Sequence, residues 1–197
     1  PEEWANDRKR RERSHVPEEV IFRTKPNIAL SVVDLSREWG VPFEVVVADS
    51  GYGKYPSSFV GGLEEREVAY VCGVESTFGV RLPEEVRAAS EAGAPPYQGR
   101  GQPPKERPAP LYLARELIGS LPEEAWRTVS WREGSKGTLS KQMVALRVHR
   151  ATGSDRHSID HELAHTAKEG WLIAERPLPG TPSSSAGREG EEELSYY

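Results

Sequence analysis

Two short stretches of this sequence place side chains where they could do chemistry. In the first, the β-branched run Phe43-Glu44-Val45-Val46-Val47-Ala48 stops at Asp49, which is followed by Ser50-Gly51-Tyr52-Gly53. An acidic residue at the carboxyl end of a buried strand sits where open α/β sheets bind their ligands, and its oxygens can hold a hard cation. The glycines after it allow a phosphate or another backbone to come close. On spacing alone, the plainer role for Asp49 is to start the turn through its own side chain. In the second stretch, His161-Glu162-Leu163-Ala164-His165 has the spacing that puts two imidazoles on one helical face, with Glu162 as general base for a zinc peptidase. Its flanks are polar, whereas such a helix needs an apolar face to bury, and no third His follows at ligand spacing. Gly51-Tyr52-Gly53-Lys54 hints at a phosphate loop, but the spacing is wrong for one and no Ser or Thr directly follows Lys54.

Elements of definite kind must position these residues. Ile28, Val32, Leu35 and Trp39 recur at helical spacing, Thr24 can cap, Pro26 sits in the first turn and Gly40 follows the end, which predicts a helix over 24–39. The run from Phe43 to Ala48 predicts a strand buried on both faces, as in a parallel sheet. A short helix over 56–66 and a second strand over 68–74 continue an α/β rhythm. Ala92 to Pro110 is rich in Gly and Pro and reads as a linker. Beyond it, 111–121 looks helical, while 126–131 and 142–150 read as strands around a Gly-containing turn. Trp171 to Glu175 is a further strand, and the tail from Pro179, with its Ser and Glu runs, reads as disordered.

Composition narrows the functions open to such a chain. A net charge of -5 over 197 residues argues against a broad basic surface that wraps nucleic acid. Arg8, Lys9, Arg10, Arg11 and Arg13 form the only dense basic run, read as a solvated helix face or a frayed terminus in preference to a DNA contact. The single Cys72 excludes an internal disulfide and a Cys-based zinc knuckle, and its apolar neighbours suggest a buried thiol. No apolar stretch reaches membrane-span length and no signal-peptide core opens the sequence, so a cytoplasmic protein with no membrane partner is expected. A start at Pro1 without Met suggests a fragment or a processed chain.

The order of motifs carries a resemblance. Val16-Pro17-Glu18-Glu19-Val20-Ile21-Phe22-Arg23-Thr24-Lys25-Pro26, Gly40-Val41-Pro42-Phe43, Val46-Val47-Ala48-Asp49-Ser50-Gly51-Tyr52-Gly53, Val71-Cys72-Gly73-Val74 and Trp126-Arg127-Thr128-Val129-Ser130-Trp131-Arg132-Glu133-Gly134-Ser135-Lys136-Gly137 together resemble the core of DDE-superfamily insertion-sequence transposases. The resemblance implies an α/β fold: part of a ribonuclease-H-like core with an inserted β-rich subdomain. It implies that Asp49 is the second of three metal-binding carboxylates and that the intact enzyme cuts and joins DNA with Mg2+ or Mn2+. The family's first Asp lies upstream of residues resembling Trp4. Its Glu lies beyond residues resembling Trp171-Leu172-Ile173-Ala174-Glu175, and Glu191-Glu192-Glu193-Leu194-Ser195-Tyr196-Tyr197 does not reproduce that signature. An internal fragment is therefore expected, incomplete for catalysis on its own.

The expected organisation is a partial catalytic core over 1–78, a linker over 79–110, an inserted β-containing subdomain over 111–179 and a disordered tail over 180–197. DNA is the expected partner, with a homo-oligomer left open. Around the hairpin turn, Trp131 could stack on a displaced base while Arg132, Lys136 and Lys141 meet phosphates; the plainer alternative is a packed Trp beside an ordinary charged turn. Two rivals stand beside the transposase: a remnant that keeps only a DNA-binding or dimerising surface, and a zinc peptidase built on His161 and His165.

Overall fold

A computed structural model describes residues 2–94, 96, 97, 99, 109–135, 137–151, 169–179 and 194–197. Two short helices, α1 (Glu2–Asn6) and α2 (Arg8–Arg13), open it, and Asp7 caps the second by accepting from Arg10 N at 3.2 Å. The basic run is thus a helix with no buried residue, as its composition predicts. Arg11 turns back to donate to the carbonyls of Pro17 at 2.8 Å and Val20 at 2.6 Å, tying down the extended stretch that follows.

Helix α3 (Lys25–Glu38) starts where its signals place it, with Thr24 Oγ1 accepting from Asn27 N at 3.4 Å and Pro26 in the first turn. Thr24→Ala is expected to cost about 1 kcal/mol through loss of this cap, lowering the thermal midpoint by about 2–4 °C. A calorimetric midpoint equal to that of the parent protein would show the cap to be idle. The helix buries Pro26, Leu30 and Val33, not the stripe that the sequence picks out. Ile28, Val32, Leu35 and Trp39 are exposed, Trp39 to 73%. α3 therefore has two apolar faces, and only one is packed among the described residues.

That packed face meets a small core. Strand β1 (Val45–Ala48) runs into α4 (Ser50–Gly53), a π-helical turn (Pro56–Val60), α5 (Gly61–Glu65) and strand β2 (Ala69–Cys72). β1 and β2 pair in parallel, Val45 opposite Ala69 and Ala48 opposite Cys72, as a helical crossover between strands demands. Leu30 and Val33 pack with Phe59, Val60, Leu63, Val68 and Cys72. The expectation that the first strand is buried on both faces is corrected: Val45 and Val47 are exposed, Val47 to 74%, because the core covers only the Val46 and Ala48 side.

The second half is an antiparallel sheet with a core of its own. It contains β3 (Gly79–Arg81), followed by α6 (Pro83–Ala92), then β4 (Tyr112–Leu113), α7 (Ala114–Gly119), a 3-10 turn (Glu123–Ala125), β5 (Arg127–Gly134), β6 (Gly137–Arg150), β7 (Glu169–Arg176) and β8 (Ser195–Tyr196). The strand order is β4-β3-β6-β7-β8, with β5 paired to β6. Val80, Ile118, Trp126, Val144, Val148, Leu172 and Tyr196 form the heart of its core. The hairpin and the alternation of Val144, Leu146 and Val148 follow the sequence pattern, although the strands extend up to the turn itself.

Two segments differ from expectation. Residues 79–92, assigned to the linker, form β3 and α6, because Val80 is fully buried against β4 and β6. Residues 194–197, assigned to a disordered tail, return to the sheet: Ser195–Tyr196 pair with β7 and Tyr196 is buried. Two apolar-aromatic residues here outweigh the acidic run before them. Among the described residues, no helix is long and apolar enough to cross a membrane.

Candidate functional site

Asp49 starts the turn and stays at the surface. It leaves β1 with extended backbone, φ -78° and ψ 176°, and its Oδ1 accepts from Gly51 N at 2.9 Å, capping α4. The turn-starting role is therefore real. The residue is nonetheless exposed, so the carboxylate is not consumed inside a closed turn.

Three contacts fix this loop. The Tyr52 ring lies 5.0 Å from Phe59, which is 2% exposed, so the motif's aromatic anchors α4 in the core. Gly73 N donates to Ala48 O at 2.8 Å, extending the pairing of β1 and β2 by one bond beyond the strands. Gly53 packs directly on Gly73: a Cβ at Gly53 would lie 1.9 Å from the Gly73 carbonyl oxygen, and a Cβ at Gly73 would meet Ser50 N at 3.0 Å. The two glycines bring α4 against the chain just after β2, which is why the stretch after Asp49 needs Gly53.

Because β1 and β2 are parallel, their carboxyl ends lie side by side and open on one cleft of about 660 Å3. Its walls are Ala48–Ser50, Gly73–Thr77 and Leu194–Tyr197. Glu75 is on the second wall, so the cleft holds two carboxylates, Asp49 and Glu75, with the hydroxyl-bearing Ser50, Ser76 and Thr77 nearby. Sequence reasoning missed Glu75. The signal for it was the parallel pairing itself, which brings the loop after the second strand beside the loop after the first. The donor set is oxygen only, as Mg2+ or Mn2+ requires. Among the described residues no group of three or more His, Cys, Asp or Glu side chains could hold a metal ion.

The hairpin residues do not line this cleft. A register shift between Ser130 and Arg132 places Trp131 at a bulge, and Trp131 is 48% exposed, so it is not the packed Trp of the plainer alternative. Arg132 is exposed beside it, opposite Leu139. Lys141 forms an ion pair with Glu175, which also accepts from Tyr197 Oη at 3.0 Å. Lys136, His161, Glu162 and His165 lie outside the described residues. Cys72 is buried as expected, and burial pushes its thiol up to about 11. Residues 50–53 form a helical turn and not a phosphate loop.

A family model described as DDE superfamily endonuclease matches residues 1–138, from α1 to the tip of the β5–β6 hairpin, including Asp49, Trp131 and Arg132 and ending before His161. No curated protein and no solved structure matches the chain.

Proposed function

Because this chain belongs to the DDE superfamily endonucleases, we propose that it is part of a transposase that cuts and joins DNA by two-metal phosphodiester chemistry, with Asp49 as a metal ligand. The observation that supports this best is the exposed Asp49 carboxylate at the carboxyl end of a parallel strand, on an open cleft with oxygen donors. Mg2+ or Mn2+ held there would activate the attacking hydroxyl or water and stabilise the departing oxygen. The chain's own residues position the ligand: Gly51 N orients the Asp49 carboxylate, and the Gly53–Gly73 contact sets the height of its loop above the strands.

A ribonuclease-H-like core completed by further chain is supported by the surfaces left uncovered. Val45 and Val47 on β1, with Ile28, Val32 and Leu35 on α3 and Trp39 at its end, form apolar surface that a wider sheet with helices on both faces would bury. The outer edge of β1 has no partner strand among the described residues. Completion of this kind would bring more carboxylates to the cleft. The test is nicking of supercoiled DNA: cleavage that needs Mg2+ or Mn2+ and stops with chelator supports the reading. DNA binding without any metal-dependent nicking would favour a second one, a non-catalytic DNA-binding remnant, whose motivating observation is the absence of a three-ligand group among the described residues.

In either reading the β5–β6 ribbon contacts DNA. All of β5 up to Glu133 is exposed, a geometry suited to a DNA groove or an unstacked base. Trp131→Ala should weaken DNA binding by about tenfold, the loss of one stacked base, with no change in fold. Fluorescence anisotropy measures it, and equal affinity would remove Trp131 from the interface.

A further inference from the structure

The two cores are joined by a largely buried ionic clamp whose members lie far apart in sequence. Glu64 on α5 takes both arms of Arg150 at the end of β6, Oε2 accepting from Nη2 at 2.8 Å and Oε1 from Nε at 3.3 Å. Tyr70 on β2 donates to the same Oε1 at 2.9 Å. The two charged side chains are only 13% and 14% exposed, and Arg150 Nη1 is buried with no hydrogen-bond partner among the described residues. At another point Val74 N donates to Tyr196 O at 2.8 Å, a bridge between two walls of the Asp49 cleft. A cavity of about 540 Å3 lies at the junction of the halves, walled by β2 on one side and β6 and β7 on the other, and Cys72 lines it.

We propose that Glu64 and Arg150 are positioning residues that set the β-rich sheet, with its ribbon, against the half that carries Asp49. The geometry favours this over simple stabilisation. Among the described residues apolar packing does not fill the junction, and the contacts that cross it beside the cavity are directional ones. A two-pronged guanidinium–carboxylate pair fixes angle as well as distance. A pair in so dry a setting is also poor value as bulk stability, since desolvating both charges offsets much of their attraction. The consequence for DNA, that the ribbon delivers its strand to Asp49, rests on the proposed function; the existence of the clamp does not.

Cys72 provides the readout, because it is the single cysteine of the chain and it lines the cavity. In the full chain, Glu64→Gln keeps the shape and one acceptor but removes the charge. Alkylation of Cys72 by N-ethylmaleimide in native buffer is expected to speed up about tenfold, with unchanged far-UV circular dichroism. Tyr70→Phe, which leaves the ion pair intact, should give a smaller rise of about threefold and serves if Glu64→Gln does not fold. In DNA cleavage, Glu64→Gln should raise KM while kcat holds, as expected when the ribbon's share of DNA binding is lost and the chemical step is not. Alkylation at the parent rate in both variants would overturn the proposal. So would a rise that tracks global unfolding across a denaturant series. Absence of cleavage in every variant, with the alkylation pattern intact, would count against the Asp49 reading and not against the clamp.

Discussion

In an enzyme that carries all three carboxylates, Asp49→Asn is expected to abolish metal-dependent DNA cleavage, by about a thousandfold or more, while leaving the fold and its thermal midpoint unchanged. Asparagine is the discriminating replacement because Asp49 caps α4 as well as carrying the proposed metal-binding charge. Its Oδ1 caps α4 through Gly51 N, and an Asn carbonyl oxygen caps about as well as a carboxylate. What Asn cannot supply is the negative charge that holds a divalent cation against competing water. Asp49→Ala removes both functions and should show the same loss of cleavage plus a stability cost of about 0.5–2 kcal/mol. Cleavage by the Asn variant at the parent rate would reduce Asp49 to a turn residue.

Gly53→Ala is expected to destabilise the protein by about 3 kcal/mol, a fall in midpoint of about 6–12 °C, because the added methyl would sit 1.9 Å from the Gly73 carbonyl oxygen. No side chain can swing aside, since the obstacle is backbone. That backbone is itself held by Gly73 N donating to Ala48 O, so relief must come from parting α4 and the end of β2. The same movement would displace Asp49 from Glu75 across the cleft. Gly119→Ala is the control: at the end of α7 its new Cβ meets nothing within 4 Å, and it should be neutral or slightly stabilising. Equal midpoints for the two variants would contradict the close-packed account of the loop.

The sequence carried local structure well and tertiary partnership poorly. Thr24, Pro26 and Gly40 bracket α3 through chemistry confined to a few neighbouring residues. The face of α3 that is buried was not legible, because Ile28, Val32, Leu35 and Trp39 keep helical spacing as well as Pro26, Leu30 and Val33 do. The parallel pair followed from β-branched runs separated by a helical stretch, yet the one-sided cover of β1 depends on what else packs there. β3 and β8 were missed because strands of two or three residues have no periodicity to read, and Val80 and Tyr196 are placed by long-range pairing. Asp49 was legible as the residue that ends a strand and begins a turn. Glu75 and the Glu64–Arg150 pair were not, since each gains its meaning only when distant segments meet.

The central claim is that Asp49 grips a divalent cation at the mouth of the β1–β2 cleft, and titration with Mn2+ followed by paramagnetic broadening of backbone amide signals tests it most directly. Amides of Asp49 to Gly51 and Gly73 to Thr77, the residues that line the cleft and cap its loop, are expected to broaden first, and Asp49→Asn to remove the effect. Broadening centred elsewhere, or retained in full by the Asn variant, would contradict it.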